Sequence, residues 1–304
     1  MDFCLDDIPG HASLLKRLGW SSSQRWYDTW MARGGSGLAA SAWPCEVADD
    51  WLWGVAFPLL TAVEAATRQP ERQLMALSGL PGCGKTSLAN WIQAAAVDLD
   101  LSVAVISLDD FYWPAEVMAQ AMEGNPWNVP RALPGSHDLS LIAESLSHWR
   151  RAGVLQAPRF DKALRNGAGD RSGWTHHQAD VLVFEGWFLG ASSEADSASD
   201  PALTHAEQSY RQQVMVALKL YEPLWTCFDQ LWHLRAPAVT ASRLWKVQQE
   251  TRMFEFTGVR LGTVALNNFI RMIETALPQE ALQSIGHADV VIELTDDRAV
   301  RELR

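Results

Sequence analysis

Residues 79–86 follow the phosphate-binding pattern G-x-x-x-x-G-K-[ST] and end in Lys85 and Thr86. In such a loop the glycines let backbone N–H groups converge on phosphate oxygens, while the lysine adds charge and the hydroxyl ligates Mg²⁺. An apolar run, residues 74–78, precedes the loop, and apolar residues recur after it at helical spacing, at Leu88, Trp91, Ile92 and Ala95. The sequence therefore predicts a strand, a loop and a helix whose N-terminus holds the phosphates of a nucleoside triphosphate.

Four more apolar, β-rich runs follow the first one, with helical patterns between them. The five predicted strands are residues 74–78, 102–108, 181–184, 230–234 and 290–294. Strands that alternate with helices form a parallel sheet covered by helices. We therefore expect an α/β chain with the three-layer P-loop NTPase fold and a mainly parallel central sheet.

The predicted elements divide the chain into two parts. Residues 1–70 are expected to form a helical N-terminal extension packed on the core, with a helix over residues 51–66, and residues 71–304 form the domain that carries the phosphate loop. About seventy residues separate the second strand from the third, which exceeds an ordinary crossover. We expect residues 111–175 of this stretch to be an insertion that builds a substrate site.

Composition excludes several classes of protein. The formal charge of −11 argues against a nucleic-acid-binding face, so phosphate affinity must be local. The longest apolar stretch, residues 51–66, is too short to span a membrane, and the N-terminus resembles no targeting signal. Four widely separated cysteines indicate neither a zinc site nor a disulfide framework. We expect a cytoplasmic protein, a monomer or weak homodimer, without nucleic-acid or membrane partners.

Acidic residues follow two of the predicted strands. Ligands gather at the carboxyl ends of strands in an open parallel sheet. There Asp109 would accept the proton of an attacking hydroxyl, and Glu185 would hold Mg²⁺ opposite Thr86, with Asp109 as a further metal-site residue. The alternative for Asp109 and Asp110 is that they only cap the next helix.

Two further groups complete the predicted nucleotide site. Residues of the phosphate loop and the first helical turn are the ATP-binding set, namely Gly79, Gly82, Cys83, Gly84, Lys85, Thr86 and Ser87. Phosphoryl transfer also needs cations that close over the triphosphate. Residues 240–262 form a possible lid that supplies Arg243, Lys246 and Arg252, although a solvated surface helix would show the same charges.

The insertion is rich in cations for so acidic a chain, which indicates an anionic substrate. In it Asp138 would accept hydrogen bonds from substrate hydroxyls and His137 would orient Asp138; no metal-ligand spacing surrounds His137. Taken singly, each of these residues is as compatible with ordinary surface charge as with a substrate contact. The candidate substrate residues are Tyr112, Arg131, His137, Asp138, Arg159, Lys162 and Arg171.

Several motifs of this sequence, and the order in which they occur, resemble those of the P-loop kinases of small metabolites. This group includes uridine kinase, phosphoribulokinase and pantothenate kinase. The blocks containing Gly-Ser-His-Asp and Glu-Gly-Trp resemble the plant-type D-glycerate 3-kinases. The resemblance covers residues 74 to about 295 and rests on residues 82–86, 107–112, 135–139, 158–162, 169–171, 184–187 and 245–250. It implies that Asp109 is the base, that Lys85 and Thr86 handle phosphate and Mg²⁺, and that the inserted cations face the substrate.

Together these observations predict ATP- and Mg²⁺-dependent phosphoryl transfer to a hydroxyl of a small anionic metabolite, which the resemblance makes D-glycerate, giving 3-phosphoglycerate. Residues 257–264 differ from the pattern of the family. One alternative is a kinase for another acceptor, such as a nucleoside or pantothenate. Another is a regulatory module that binds a nucleotide without transferring phosphate.

Overall fold

The computed structural model describes residues 5–41, 43, 46–195, 200–258 and 260–304. A six-stranded sheet in the order β2-β5-β1-β6-β7-β8 forms the centre, and β3 and β4 form a separate antiparallel pair. All neighbours in the central sheet are parallel except β7 and β8. The strands are β1 (Gln73–Gly79), β2 (Val103–Ser107), β3 (Val154–Asp161), β4 (Asp170–Gln178), β5 (Val181–Gly186), β6 (Gln230–Arg235), β7 (Val290–Leu294) and β8 (Val300–Leu303).

Helices lie between β1 and β2, β2 and β3, β5 and β6, and β6 and β7. Helix α6, which leaves the phosphate loop, packs against β1, β2 and β5. Short 3₁₀ turns occur at Leu5–Asp7, Leu108–Phe111 and Arg165–Gly167, and a π-helical turn at Leu52–Ala56 joins α4 to α5. The helices are α1 (His11–Arg17), α2 (Ser23–Ala32), α3 (Gly35–Ala40), α4 (Asp49–Trp51), α5 (Phe57–Ala66), α6 (Lys85–Asp98), α7 (Ala115–Ala121), α8 (Leu139–Ala152), α9 (His205–Lys219), α10 (Glu222–Trp225), α11 (Ala241–Thr257), α12 (Thr263–Thr275) and α13 (Gln279–Gln283).

Buried tryptophans hold the N-terminal helices together and to the core. The indole N–H groups of Trp26 and Trp30 both donate to the Thr61 hydroxyl, at 2.9 and 3.0 Å, so polar atoms buried with these large rings are satisfied. Trp91 of α6 donates to the carbonyl of Leu38 in α3 at 2.8 Å. Helices before residue 70 therefore share one core with α6, whereas the boundary placed at residue 70 stays a prediction.

The insertion folds back over the carboxyl ends of the central strands. Its helix α8 packs on β3, and β3 lies against the turn Leu108–Phe111 that follows β2. An isolated antiparallel bridge joins Tyr112 to His137. Residues of the insertion are thereby brought to the same edge of the sheet as the phosphate loop. Within the described ranges, no helix is long and apolar enough to cross a membrane.

Candidate active site

The phosphate loop connects β1 to α6 and is enclosed by other parts of the chain. Gly82 and Gly84 have φ values of +85° and +105°, a region that favours glycine. A Cβ at Gly82 would lie 2.7 Å from the Cβ of Trp245 in α11, and one at Gly84 would lie 3.1 Å from the Trp51 ring. Both glycines therefore serve backbone conformation and close packing, and α11 and the N-terminal helices fix the shape of the loop.

The other predicted nucleotide-binding residues lie in or beside this loop. Gly79 is the last residue of β1, Lys85 is buried as the first residue of α6, and Ser87 is half-buried in the first turn of that helix. Cys83 is fully buried, and burial raises the pKa of its thiol, so the residue packs the loop as a neutral group. Because α6 is a regular helix of 14 residues, its N-terminal N–H groups provide an anion site.

Hydroxyl and carboxylate oxygens meet beside the loop. The hydroxyls of Thr86 and Ser107 both donate to Oε1 of the buried Glu185, at 3.2 and 2.8 Å. Across the described part of the chain no group of three or more His, Cys, Asp or Glu residues could hold a metal ion. A sparse set of oxygen donors suits Mg²⁺, which keeps waters and binds through one or two carboxylates together with substrate phosphates.

Asp109 and Asp110 follow β2, and the structure gives them different environments. Asp110 caps the 3₁₀ turn, accepting a hydrogen bond from the Ser107 backbone N–H at 3.2 Å, and burial raises its pKa to about 6. Asp109 accepts from the Tyr112 hydroxyl at 2.8 Å and from Lys162 Nζ at 2.6 Å. The capping alternative therefore holds for Asp110, while the carboxylate of Asp109 takes part in a separate polar cluster.

The pKa of Asp109 reflects two opposed effects. Burial raises the pKa, but the charge and hydrogen bond of Lys162 outweigh burial and hold it well below its ordinary value. The residue is therefore a carboxylate at neutral pH, in the state required to accept a proton or a hydrogen bond. The same pairing raises the pKa of Lys162, which stays a cation beside it.

Three cations from separate segments share this region. The Arg131 guanidinium donates to the carbonyls of Gly167 and Ala168 at 2.7 and 2.8 Å. Lys246 forms an ion pair with Glu250 at 2.8 Å, and its pKa is lowered by burial and further by the charges of Lys162 and Arg131. Helix α11 therefore contributes Lys246 to the region that Arg131 and Lys162 reach from the insertion; that α11 acts as a lid stays a prediction.

Other predicted cations lie elsewhere. Arg243 forms a two-pronged ion pair with Glu274 of α12, with the shorter contact at 2.8 Å. Arg252 is exposed near the end of α11, and Arg159 is exposed on β3. The structure thus separates Lys246 from the other two predicted lid residues.

The expectation that His137 orients Asp138 is wrong. The Asp138 carboxylate caps α8 by accepting from the Leu141 N–H at 3.0 Å, and it forms an ion pair with Arg171 at 3.1 Å. Arg171 also donates to the Tyr112 carbonyl at 2.9 Å. Because Asp138 and Arg171 satisfy each other, they hold β4 and α8 against Tyr112 rather than presenting free charge.

Some residues near the site were missed by the sequence analysis. Ser107 could have been found from its spacing to Asp110, which matches a helix-capping pattern. Tyr221 hydrogen-bonds to His137 at 2.9 Å, and Arg298 donates to the carbonyl of Gly82 at 2.8 Å. These last two approach from distant segments, so local sequence carried no signal for them.

Arg298 connects three segments around the phosphate loop. Besides Gly82, its guanidinium bonds Gln248 in α11 at 2.7 Å, and Trp245 of the same helix donates to the Asp296 carbonyl at 2.6 Å. The loop after β7 therefore fixes α11 against the phosphate loop.

Comparison with known proteins gives relatives over part of the chain, whereas no family model matches it. The chain is 29% identical over 215 residues to the chloroplastic D-glycerate 3-kinase of Arabidopsis thaliana, covering 65% of this chain and 45% of that protein. It is 28% identical over 192 residues to the uncharacterized kinase mug58 of Schizosaccharomyces pombe, covering 58% and 69%. The chain thus spans less than half the length of the plant relative.

Solved structures settle the fold. A D-glycerate 3-kinase from Cryptococcus neoformans superposes with a TM-score of 0.67 at 22% identity, covering 83% of this chain and 96% of that one. The chain has a P-loop kinase fold. A protein named YGR205w gives a TM-score of 0.69 at 21% identity, covering 85% and 98%. The predicted fold class and the predicted resemblance to D-glycerate 3-kinases are therefore confirmed.

Proposed function

We propose that this protein is an ATP- and Mg²⁺-dependent kinase that phosphorylates a hydroxyl of a small anionic acceptor, the 3-hydroxyl of D-glycerate. The observation that carries the proposal is the position of Asp109 at the carboxyl end of β2, with Lys162 2.6 Å away. β2 is hydrogen-bonded to β5 and β5 to β1, so Asp109 stands at the sheet edge where the phosphate loop begins. The plant and fungal relatives named as D-glycerate 3-kinases supply the identity of the acceptor.

Each residue near the loop has a role that its chemistry supports. The loop N–H groups and Lys85 bind the β and γ phosphates, and Asp109 orients the acceptor hydroxyl and takes its proton. Thr86 and Glu185 would hold Mg²⁺, directly or through a water, with Asp109 close by. The ion would supply charge neutralisation on the phosphates.

The cations near Asp109 support the proposal of an anionic acceptor. The hydrogen bonds described for Arg131 go to carbonyl oxygens, so a carboxylate does not neutralise its charge there. Lys162 and Lys246 add two more positive charges in the same region, each with one carboxylate partner. A carboxylate on the substrate would complete this charge balance. In this proposal, Tyr112 and His137 form the side of the acceptor site next to these cations. The charge balance does not require Arg159, Arg243 or Arg252.

A test is to incubate the purified chain with ATP, Mg²⁺ and a panel of acceptors, and to measure both ADP release and the phosphorylated product. We expect D-glycerate to give 3-phosphoglycerate, and omission of Mg²⁺ to abolish turnover. Turnover with a nucleoside or pantothenate but not with D-glycerate would identify another kinase. Tight ATP binding without turnover on any acceptor would indicate a regulatory module.

The cellular setting is also part of the proposal. We propose a cytoplasmic enzyme that acts as a monomer or weak homodimer on a small molecule. Light scattering across a range of concentrations would measure the mass, and a stable tetramer would contradict it.

A further inference from the structure

Tyr221 is a buried tyrosine, outside the phosphate loop and the strand ends, that contacts His137. Its hydroxyl oxygen accepts a hydrogen bond from the backbone N–H of Gly135 at 2.8 Å and lies 2.9 Å from Nδ1 of His137. Because the Gly135 N–H can only donate, the tyrosine proton is left for another acceptor. Nδ1 of His137 is the acceptor described within hydrogen-bonding distance of this hydroxyl. The same nitrogen lies farther, 3.3 Å, from the Ser136 hydroxyl, which donates its own proton to the Leu133 carbonyl at 2.5 Å.

This pattern determines which nitrogen of His137 carries the proton. Burial lowers the pKa of His137 to about 3, so the ring is neutral at physiological pH and has one N–H. With Nδ1 accepting from Tyr221, the proton resides on Nε2. Nε2 is buried and, in the described part of the chain, finds no hydrogen-bond partner. A buried donor without an acceptor is destabilising, so the fold retains an unfavourable group at this position.

The location of the ring gives this donor a use. His137 stacks on Tyr112 with ring centroids 4.5 Å apart, and the Tyr112 hydroxyl donates to Asp109. Phe188 packs against the ring of His137 edge to face, with centroids 5.8 Å apart. The imidazole is thus fixed between the rings of Tyr112 and Phe188, and Tyr112 is also the hydrogen-bond partner of Asp109, the proposed base.

We propose that Tyr221 is a positioning residue that holds His137 in the Nε2–H form, so that Nε2 donates a hydrogen bond to a hydroxyl oxygen of the acceptor next to the hydroxyl that is phosphorylated. A neutral donor matches a neutral hydroxyl oxygen, whereas the charges of Arg131, Lys162 and Lys246 match the carboxylate. For D-glycerate this oxygen is the 2-hydroxyl. The identity of the acceptor in this inference rests on the proposed function, whereas the tautomer of His137 is independent of it.

The first experiment measures the tautomer in the free protein. In ¹⁵N-histidine-labelled protein, the nitrogen shifts of His137, assigned by their loss in His137→Phe, should show Nε2 protonated and Nδ1 unprotonated. Tyr221→Phe removes the donor to Nδ1 and should move the ring toward the opposite tautomer or a mixture. Tyr27→Phe, the same change in α2 of the N-terminal segment, should leave these shifts unchanged. An Nδ1–H ring in the parent chain, or unchanged shifts in a folded Tyr221→Phe protein, would overturn the inference.

The second experiment tests the contact between His137 and the 2-hydroxyl of D-glycerate by removing each partner alone and both together, as in a double-mutant cycle. D-glycerate is compared with 3-hydroxypropionate, which lacks the 2-hydroxyl, in the parent chain and in His137→Phe. Losing the hydroxyl should lower kcat/KM about tenfold to a hundredfold in the parent and far less in the variant. His137→Gln keeps an amide donor and should restore part of the discrimination. Equal discrimination in the parent and in folded His137→Phe would refute the contact.

Tyr221→Phe also separates positioning from general stability. We expect it to raise KM for D-glycerate about tenfold and to leave KM for ATP unchanged, because the hydrogen bonds described for Tyr221 go to Gly135 and His137 of the insertion. An equal rise in both constants would mean that the tyrosine only supports the fold. If neither acceptor is phosphorylated by the parent chain, the proposed function fails, and the nitrogen shifts still decide the role of Tyr221.

Discussion

At the scale of single residues, adjacent side chains in one turn have opposite surroundings. Asp110 is drawn back to the Ser107 N–H and its pKa is raised to about 6, whereas Lys162 holds the pKa of Asp109 well below its ordinary value. Charge and hydrogen bonding thus shift the pKa values of two identical side chains in opposite directions. The sequence pattern indicates Asp109 because this residue follows a predicted strand, but the pattern could not exclude the capping role that Asp110 takes.

Asp109→Asn tests the proposed base directly. The amide keeps the size of the side chain but cannot accept a proton, so kcat for D-glycerate should fall about 10²- to 10⁴-fold. Calorimetric titration should find ATP affinity within a few-fold of the parent. Asp98→Asn, an exposed change at the end of α6, is the matched control and should retain full activity. A near-normal kcat in Asp109→Asn would remove the residue from the mechanism.

At the scale of elements, the phosphate loop depends on its contact with α11. In Gly82→Ala the new methyl would meet Trp245 at 2.7 Å, so the loop or the helix must shift. We expect ATP affinity, measured by titration calorimetry, to fall at least about tenfold, since the N–H groups that bind phosphate would be displaced. Gly19→Ala is the control, because Gly19 has a similar φ of +89° and open space where the methyl group would lie. It measures the cost of a left-handed backbone alone, about 1–2 kcal/mol of stability. Unchanged ATP affinity in Gly82→Ala would contradict the close packing.

Helices α9 and α12 are joined by the ion pair between Glu207 and Arg271, at 2.7 Å. Hydrogen bonding from Arg271 is the main reason that the pKa of Glu207 is lowered from 4.5 to about 2. A lowered pKa in the folded state contributes stability that is present above pH 4.5 and is lost as the pH falls from 4.5 toward 2.

Glu207→Gln should therefore remove up to about 3 kcal/mol of stability at pH 7, and much less at pH 2. Urea unfolding of both chains at the two pH values measures the difference. Glu123→Gln, at an exposed carboxyl, should change neither value. A loss in Glu207→Gln that is the same at both pH values would show that packing, not charge, dominates.

At the scale of the whole molecule, the helices before residue 70 belong to the core that supports the phosphate loop. The Trp91 indole of α6 is fully buried, donates to Leu38 and lies against Phe57, with ring centroids 5.2 Å apart. Trp51 lies over Gly84 of the loop itself. The N-terminal segment thus packs directly on the phosphate loop.

Removing residues 1–70 should therefore unfold the rest of the chain or greatly destabilise it. The truncated protein would expose the Trp91 face of α6 to water, and burying one such side chain contributes several kcal/mol. Thermal melting and hydrogen exchange compare it with the full chain. The single substitution Trp91→Phe keeps an aromatic ring but makes it smaller and removes the hydrogen bond to Leu38, and should lower the melting temperature modestly. A truncated chain with an unchanged melting temperature would show that residues 71–304 fold independently.

The sequence by itself determined the α/β class, the position of the phosphate loop and the acids at the ends of β2 and β5. These features depend on neighbours in sequence, because strand periodicity, glycine spacing and strand termini are local properties. Only the tertiary structure decided that Lys246 joins the cations of the insertion while Arg243 pairs with Glu274, and that Asp138 neutralises Arg171. The partner of a charged side chain depends on how distant segments are packed together, so the same residue type can belong to a site or to a surface ion pair.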